Sequence, residues 1–181
     1  MALSKLSGDE QRIILGQLCN TLEPRLTMYF SSASSELRVL LTPALRQQLR
    51  ADHEVAAALC RKMGMRSCKE LREATDVHWV DKGLSADDLA TLGTLGSVVP
   101  ALWMLTLDEL GSDSAGPDGV QRLAEALGAG ALPAATFLAL VSIHVGDAGA
   151  LALAAALDRG ALPRLETLQL MRAAIGDAIK C

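Results

Sequence analysis

The chain has 181 residues, half of them hydrophobic but only 3% aromatic, with a net charge of −4 at pH 7. That length holds one domain or two small ones, and such a composition calls for a core of Leu, Ala and Val. Residues 1–95 carry 12 basic and 12 acidic side chains and residues 96–181 carry 5 and 9, so there is no basic patch to attract nucleic acid.

The first 75 residues read as helical and non-repetitive. Ser7-Gly-Asp-Glu10 has the spacing of a capping box and predicts a helix burying Ile13, Ile14 and Leu18. Pro24 ends that helix or starts the next, and Leu26, Tyr29, Phe30, Leu37 and Leu40 continue the apolar rhythm. Thr42-Pro43 predicts a long helix with proline in its first turn. Its apolar face is Leu45, Leu49, Ala56, Leu59 and Met63, and Gly64 closes it. Ser67-Cys-Lys-Glu70 has the spacing of a second capping box. Val77-His-Trp79-Val80 then reads as a strand, and Ser85-Ala-Asp-Asp88 as the cap of a helix burying Leu89, Leu92 and Leu95.

From residue 100 the sequence repeats. Leu102-Trp103-Met104-Leu105-Thr106-Leu107, Ala135-Thr136-Phe137-Leu138-Ala139-Leu140 and Leu165-Glu166-Thr167-Leu168-Gln169-Leu170 all read apolar-x-x-Leu-x-Leu. Each begins two residues after a proline: Pro100, Pro133 and Pro163. Alternation of this kind marks strands, and a period near thirty residues marks stacked supersecondary units. Between the strands, Val120, Leu123, Ala124 and Leu127, then Ala150, Leu153, Ala154 and Leu157, recur at helical spacing. Asp118 and Asp147 stand where a cap belongs, Asp177 opens a third copy, and Gly130 and Gly160 stop the helices. The pair Val77–Leu95 reads as a degenerate first unit. The expected fold class is therefore α/β, with a helical segment over 1–75 and strand-loop-helix units on a parallel sheet over 76–181. The unit opened at Ile175-Gly176-Asp177 is incomplete, and its uncapped edge offers a route to self-association.

These motifs resemble the leucine-rich repeat family, in its ribonuclease-inhibitor-like class with full helices and algal-type repeats. The resemblance implies a short solenoid that binds a protein partner through its exposed strand face. The family places Asn or Cys three residues after the last strand leucine. Here those positions hold Leu110, Ile143 and Ala173, which predicts apolar turns without a polar ladder. Residues 6–40 are also similar to an F-box, through Leu6, Ile13-Ile14, Leu18, Pro24-Arg25, Ser31-Ser32 and Leu37-Arg38. That resemblance implies an adaptor that brings a substrate to a cullin-RING ubiquitin ligase. The same segment also reads as a plain helical cap.

Nothing in the sequence has the spacing of a catalytic or cofactor motif, so a non-enzymatic chain with no cofactor is expected. Cys19, Cys60, Cys68 and Cys181 form no Cys-x-x-Cys, and with His53 they match no metal-site spacing. Asp87 and Asp88 sit where a helix dipole favours carboxylates. Ala126–Gly146 lacks Asp, Glu, Lys and Arg over near-transmembrane length, but its glycines, Pro133 and repeat register argue against a membrane span. Met1–Glu10 has no apolar stretch of signal-peptide character, so a cytoplasmic location is expected.

Alternation assigns the outward positions. They are Trp103, Met104, Thr106, Asp108 and Glu109; Thr136, Phe137, Ala139, Val141 and Ser142; and Glu166, Thr167, Gln169, Met171 and Arg172. Among them Trp103, Met104, Asp108, Phe137, Val141 and Met171 form the predicted protein-binding set, because exposed aromatics and methionines mark interfaces. Leu138, Leu140, Leu168 and Leu170 are the predicted buried positions.

Overall fold

A computed structural model describes residues 20–33, 35–110 and 115–173, together with Ser7 and Glu10. The chain divides into two compact units, Met1–Ala58 and Leu59–Cys181.

The described part of the first unit is helical. Ser7 and Glu10 form the reciprocal cap that their spacing predicts. The Glu10 carboxylate accepts the Ser7 N–H at 2.8 Å, and the Glu10 N–H donates to the Ser7 hydroxyl at 3.3 Å. Ile13, Ile14 and Leu18 lie outside the described residues. Helix α1 (Pro24–Ala33) begins at its proline and is followed by α2 (Ser35–Leu40) and α3 (Pro43–Lys62). The Thr42 hydroxyl caps α3 by accepting the N–H of Leu45 at 3.2 Å. Its buried stripe contains Leu49, Ala56 and Leu59 and continues to Met63, as the spacing predicts, while Leu45 is half-buried. Tyr29 departs from the expected apolar rhythm and is 70% exposed.

In the second unit, α4 (Cys68–Glu73) forms without the reciprocal cap expected at Ser67, because Glu70 accepts the N–H of Arg66 instead. There follow β1 (Asp76–Val80), α5 (Ala86–Leu95) with a short 3-10 turn, β2 (Met104–Asp108), α6 (Pro117–Gly128), β3 (Phe137–Val141), α7 (Gly146–Asp158) and β4 (Thr167–Met171). The four strands make one parallel sheet in the order β1-β2-β3-β4. Each connection moves one strand over and carries one helix, as parallel neighbours require. Ala126–Gly146, apolar enough to suggest a membrane segment, is divided among α6, a turn, β3 and the start of α7. No described helix is long and apolar enough to cross a membrane.

The repeat register is the sheet register. Val77, Leu105, Leu138 and Leu168 lie side by side, as do Trp79, Leu107, Leu140 and Leu170. The first three of each row are at most 3% exposed. They share the core with Leu89, Leu92 and Leu95 of α5 and with Val120, Leu123, Ala124 and Leu127 of α6. Leu168 and Leu170, expected to be buried, are only half-buried. They lie on β4, which has a described neighbour strand on one side only. The same cause opens one side of α7, where Ala154 is exposed and Leu157 half-buried although both were read as core. Ala156 is buried on that helix instead.

Small residues set the helix spacing. A Cβ on Gly93 of α5 would lie 2.5 Å from the Cβ of Ala126 on α6. Asp118 and Asp147 fall inside the first turns of α6 and α7, one residue beyond Pro117 and Gly146, rather than at the caps. They still place a carboxylate near the positive end of each helix. Gly130 and Gly160 end those helices with φ of 94° and 87°, a conformation that glycine adopts without steric cost.

Candidate protein-binding face

On the open side of the sheet the strands align three rows of outward side chains. The first is Asp76–Met104–Phe137–Thr167, the second His78–Thr106–Ala139–Gln169 and the third Val80–Asp108–Val141–Met171. Successive rows are two residues apart along each strand, so the outer two lie about 13 Å apart. The outer rows hold the large apolar side chains, and the middle row has none.

Trp103 sits at the head of the first row with 44% of its surface exposed. Its backbone is held from both sides. Its N–H donates to the Thr75 carbonyl at 2.8 Å, and its own carbonyl accepts the N–H groups of Thr136 at 2.8 Å and Phe137 at 3.1 Å. A large aromatic is thus presented from a fixed position. Met104, Phe137 and Val141 are half-buried and Met171 is 53% exposed. Five of the six residues expected to form the patch lie on strands paired in register, and Trp103 immediately precedes Met104 at the start of β2.

Two of the outward positions are corrected. Ala139 is 1% exposed, because a single methyl group between Thr106 and Gln169 is shaded by its longer neighbours. Glu109 is also 1% exposed. Its carboxylate turns into the loop after β1 and accepts the N–H groups of Lys82 at 3.2 Å and Gly83 at 2.9 Å. A polar turn contact does form, then, from the residue before Leu110, which is itself 63% exposed; Ile143 and Ala173 are buried. The backbone records the same difference. Asp81, Ser142 and Arg172, each directly after a strand, have φ of 50°, 57° and 52°, whereas Glu109 stays outside the left-handed region.

Sequence reasoning missed the contribution of β1. Val80 is 49% exposed and is paired with Asp108, and His78 is exposed in the middle row. The alternation used for the later strands would have assigned both. The Asp108 carboxylate brings the one negative charge into the third row. Its Oδ1 atom, like the Ser142 hydroxyl, is buried without a hydrogen-bond partner among the described residues.

The remaining titratable groups perform structural work. Asp88 completes the cap of α5, exchanging hydrogen bonds with Ser85, and pairs with Lys62. Burial opposes ionisation of Asp88, but hydrogen bonds from Lys62 and Ser85 outweigh it and hold the carboxyl below its ordinary range. Asp87 pairs with Arg122 across α5 and α6 at 2.8 Å. Cys60 and Cys68 are free and buried. Burial, reinforced by the adjacent Cys68 thiol, pushes Cys60 up to about 12, so it stays protonated at neutral pH and is a poor nucleophile. His53 Nδ1 lies 2.7 Å from the Thr21 carbonyl. Among the described residues no three His, Cys, Asp or Glu side chains converge as metal ligands. Leu22, between the first capping box and α1, is 3% exposed, and Ile14 and Leu18 lie outside the described residues.

No family model, curated protein or solved structure matches the chain.

Proposed function

We propose that the chain is a non-enzymatic protein-binding module of the leucine-rich-repeat kind, engaging its partner through the open face of the parallel sheet. The observation that carries this reading is the difference between the two tryptophans. In a chain with so few aromatic residues, Trp79 is 3% exposed in the core while Trp103 stands 44% exposed beside Met104 and Phe137. Tryptophan is the residue most enriched among binding hot spots, and the backbone of this one is held by Thr75, Thr136 and Phe137. The half-buried Asp108 in the third row supports a mixed contact, in which a donor from the partner meets the accessible side of the carboxylate while apolar groups cover Val80, Val141 and Met171.

The test is a comparison of wild type with the Trp103→Ala/Phe137→Ala double variant in affinity purification followed by mass spectrometry. Thermal unfolding of both proteins runs alongside. A partner retained by wild type and lost by an equally stable double variant supports the reading, with an expected weakening of about 2 kcal/mol or more. Equal recovery of every partner, or collapse of the double variant, rejects this face.

A further inference from the structure

The first unit contains a hollow of about 540 Å³ between α1 and α3. That volume lies within the range of small-molecule sites. Its composition is unusual for an acidic chain. Arg25 comes from α1 and Arg46 and Arg50 from α3, and no acidic side chain is among its described lining residues. The floor is apolar, formed by buried Leu49 with Met28 and Tyr29, which are 37% and 70% exposed.

The three arginines have no counter-charge among the described residues, none lying within ion-pairing distance of a carboxylate there. Arg46 and Arg50 are one turn apart on α3, a like-charge spacing that disfavours the helix. The Arg46 guanidinium is oriented by donating its Nε–H to the Leu41 carbonyl at 2.9 Å, which leaves its terminal nitrogens for another acceptor. A second hollow uses the same Arg46 and Arg50 but is completed only by Pro43 and Gln47. The apolar floor therefore distinguishes the first hollow, and an occupant must supply both an anion and an apolar body.

We propose that the hollow between α1 and α3 is a binding site for a small amphipathic anion, an aryl or alkyl group carrying a carboxylate, sulfonate or phosphate. The arginines hold the charged head through charge-assisted hydrogen bonds, and Leu49 and Met28 receive the body. The site is independent of the sheet face.

Isothermal titration of the full chain with 8-anilinonaphthalene-1-sulfonate tests it, with inorganic sulfate as the charge without the body. One saturable site per chain is expected, with sulfate binding far more weakly. Arg25→Gln with Arg50→Gln should weaken the sulfonate at least about tenfold, since charge-assisted hydrogen bonds to its head are lost. Both arginines are exposed, so the fold tolerates the change. Ser32→Trp, which places an indole in the hollow, should abolish binding, whereas Trp103→Ala/Phe137→Ala should leave it unchanged. The proposal is overturned by the absence of saturation below about 1 mM, by arginine variants that bind as wild type, or by loss of binding only in the sheet-face variant.

Discussion

The carboxylate of Glu109 receives the backbone N–H of Gly83 at 2.9 Å across 26 residues of sequence. The same group accepts the N–H of Lys82, so one side chain at the end of β2 satisfies two donors in the turn that follows β1. Lys82 and Gly83 are exposed, whereas Glu109 is 1% exposed, so the buried carboxylate depends on these two donors for hydrogen bonds that water would otherwise supply.

Glu109→Ala should therefore destabilise the protein by about 2–4 kcal/mol, and Glu109→Gln, which keeps an acceptor oxygen, by less. Urea unfolding monitored by circular dichroism checks the order. Equal midpoints for wild type and Glu109→Ala would show that water serves the turn as well as the carboxylate does.

Leu138 and Leu168 are register partners with different surroundings, Leu138 at 1% exposure between two strands and Leu168 half-buried on β4. Leu138→Ala should cost about 2–5 kcal/mol and Leu168→Ala about half as much, because less of the side chain leaves water on folding. Denaturant midpoints of the two variants decide it, and a larger loss at Leu168 would contradict the open edge.

Gly93→Ala is expected to destabilise, although alanine in a helix interior normally gains about 1 kcal/mol over glycine. The added methyl would meet Ala126 at 2.5 Å, and overpacking of this kind costs about 1–3 kcal/mol. Adding Ala126→Gly should recover part of the loss. A double variant whose loss is the simple sum of the single losses would mean that α5 and α6 do not touch there.

Asp88 predicts an acid-dependent loss of stability. Its folded carboxyl is held below the ordinary 3.8 of an aspartate by Lys62 and Ser85, against the opposing effect of burial. A depressed folded value stabilises above the unfolded value and loses that contribution as pH falls through the folded one. Wild type should weaken relative to Asp88→Asn as pH drops below about 4, after exceeding it at pH 6–7. Unfolding titrations of both proteins across pH 3–7 measure the difference, and parallel curves would remove Asp88 from the account.

The sheet was legible because leucines two residues apart, repeated behind prolines, specify both strand face and register. Leu105, Leu138 and Leu168 align as that pattern requires. What depends on a neighbour was less legible. Glu109, expected outward, has the parity of Leu105 and Leu107 and lies inside, where its carboxylate accepts two backbone N–H groups of another strand's turn. Ala139 points outward but is too small to reach solvent, and Leu157 has the spacing of a core residue but lacks a described layer against it. The arginine-lined hollow left no sequence signal, since Arg25, Arg46 and Arg50 look like ordinary solvated charges until α1 and α3 are brought together.

The placement of the two tryptophans also has an optical consequence. Trp79, at 3% exposure, should emit at short wavelength and resist acrylamide quenching, while Trp103, at 44%, should emit further to the red and be quenched readily. The intrinsic emission therefore divides into an interior band that disappears when the sheet melts and a surface band that shifts when something settles on the open face. A single spectrum can thus distinguish an unfolded chain from an occupied one.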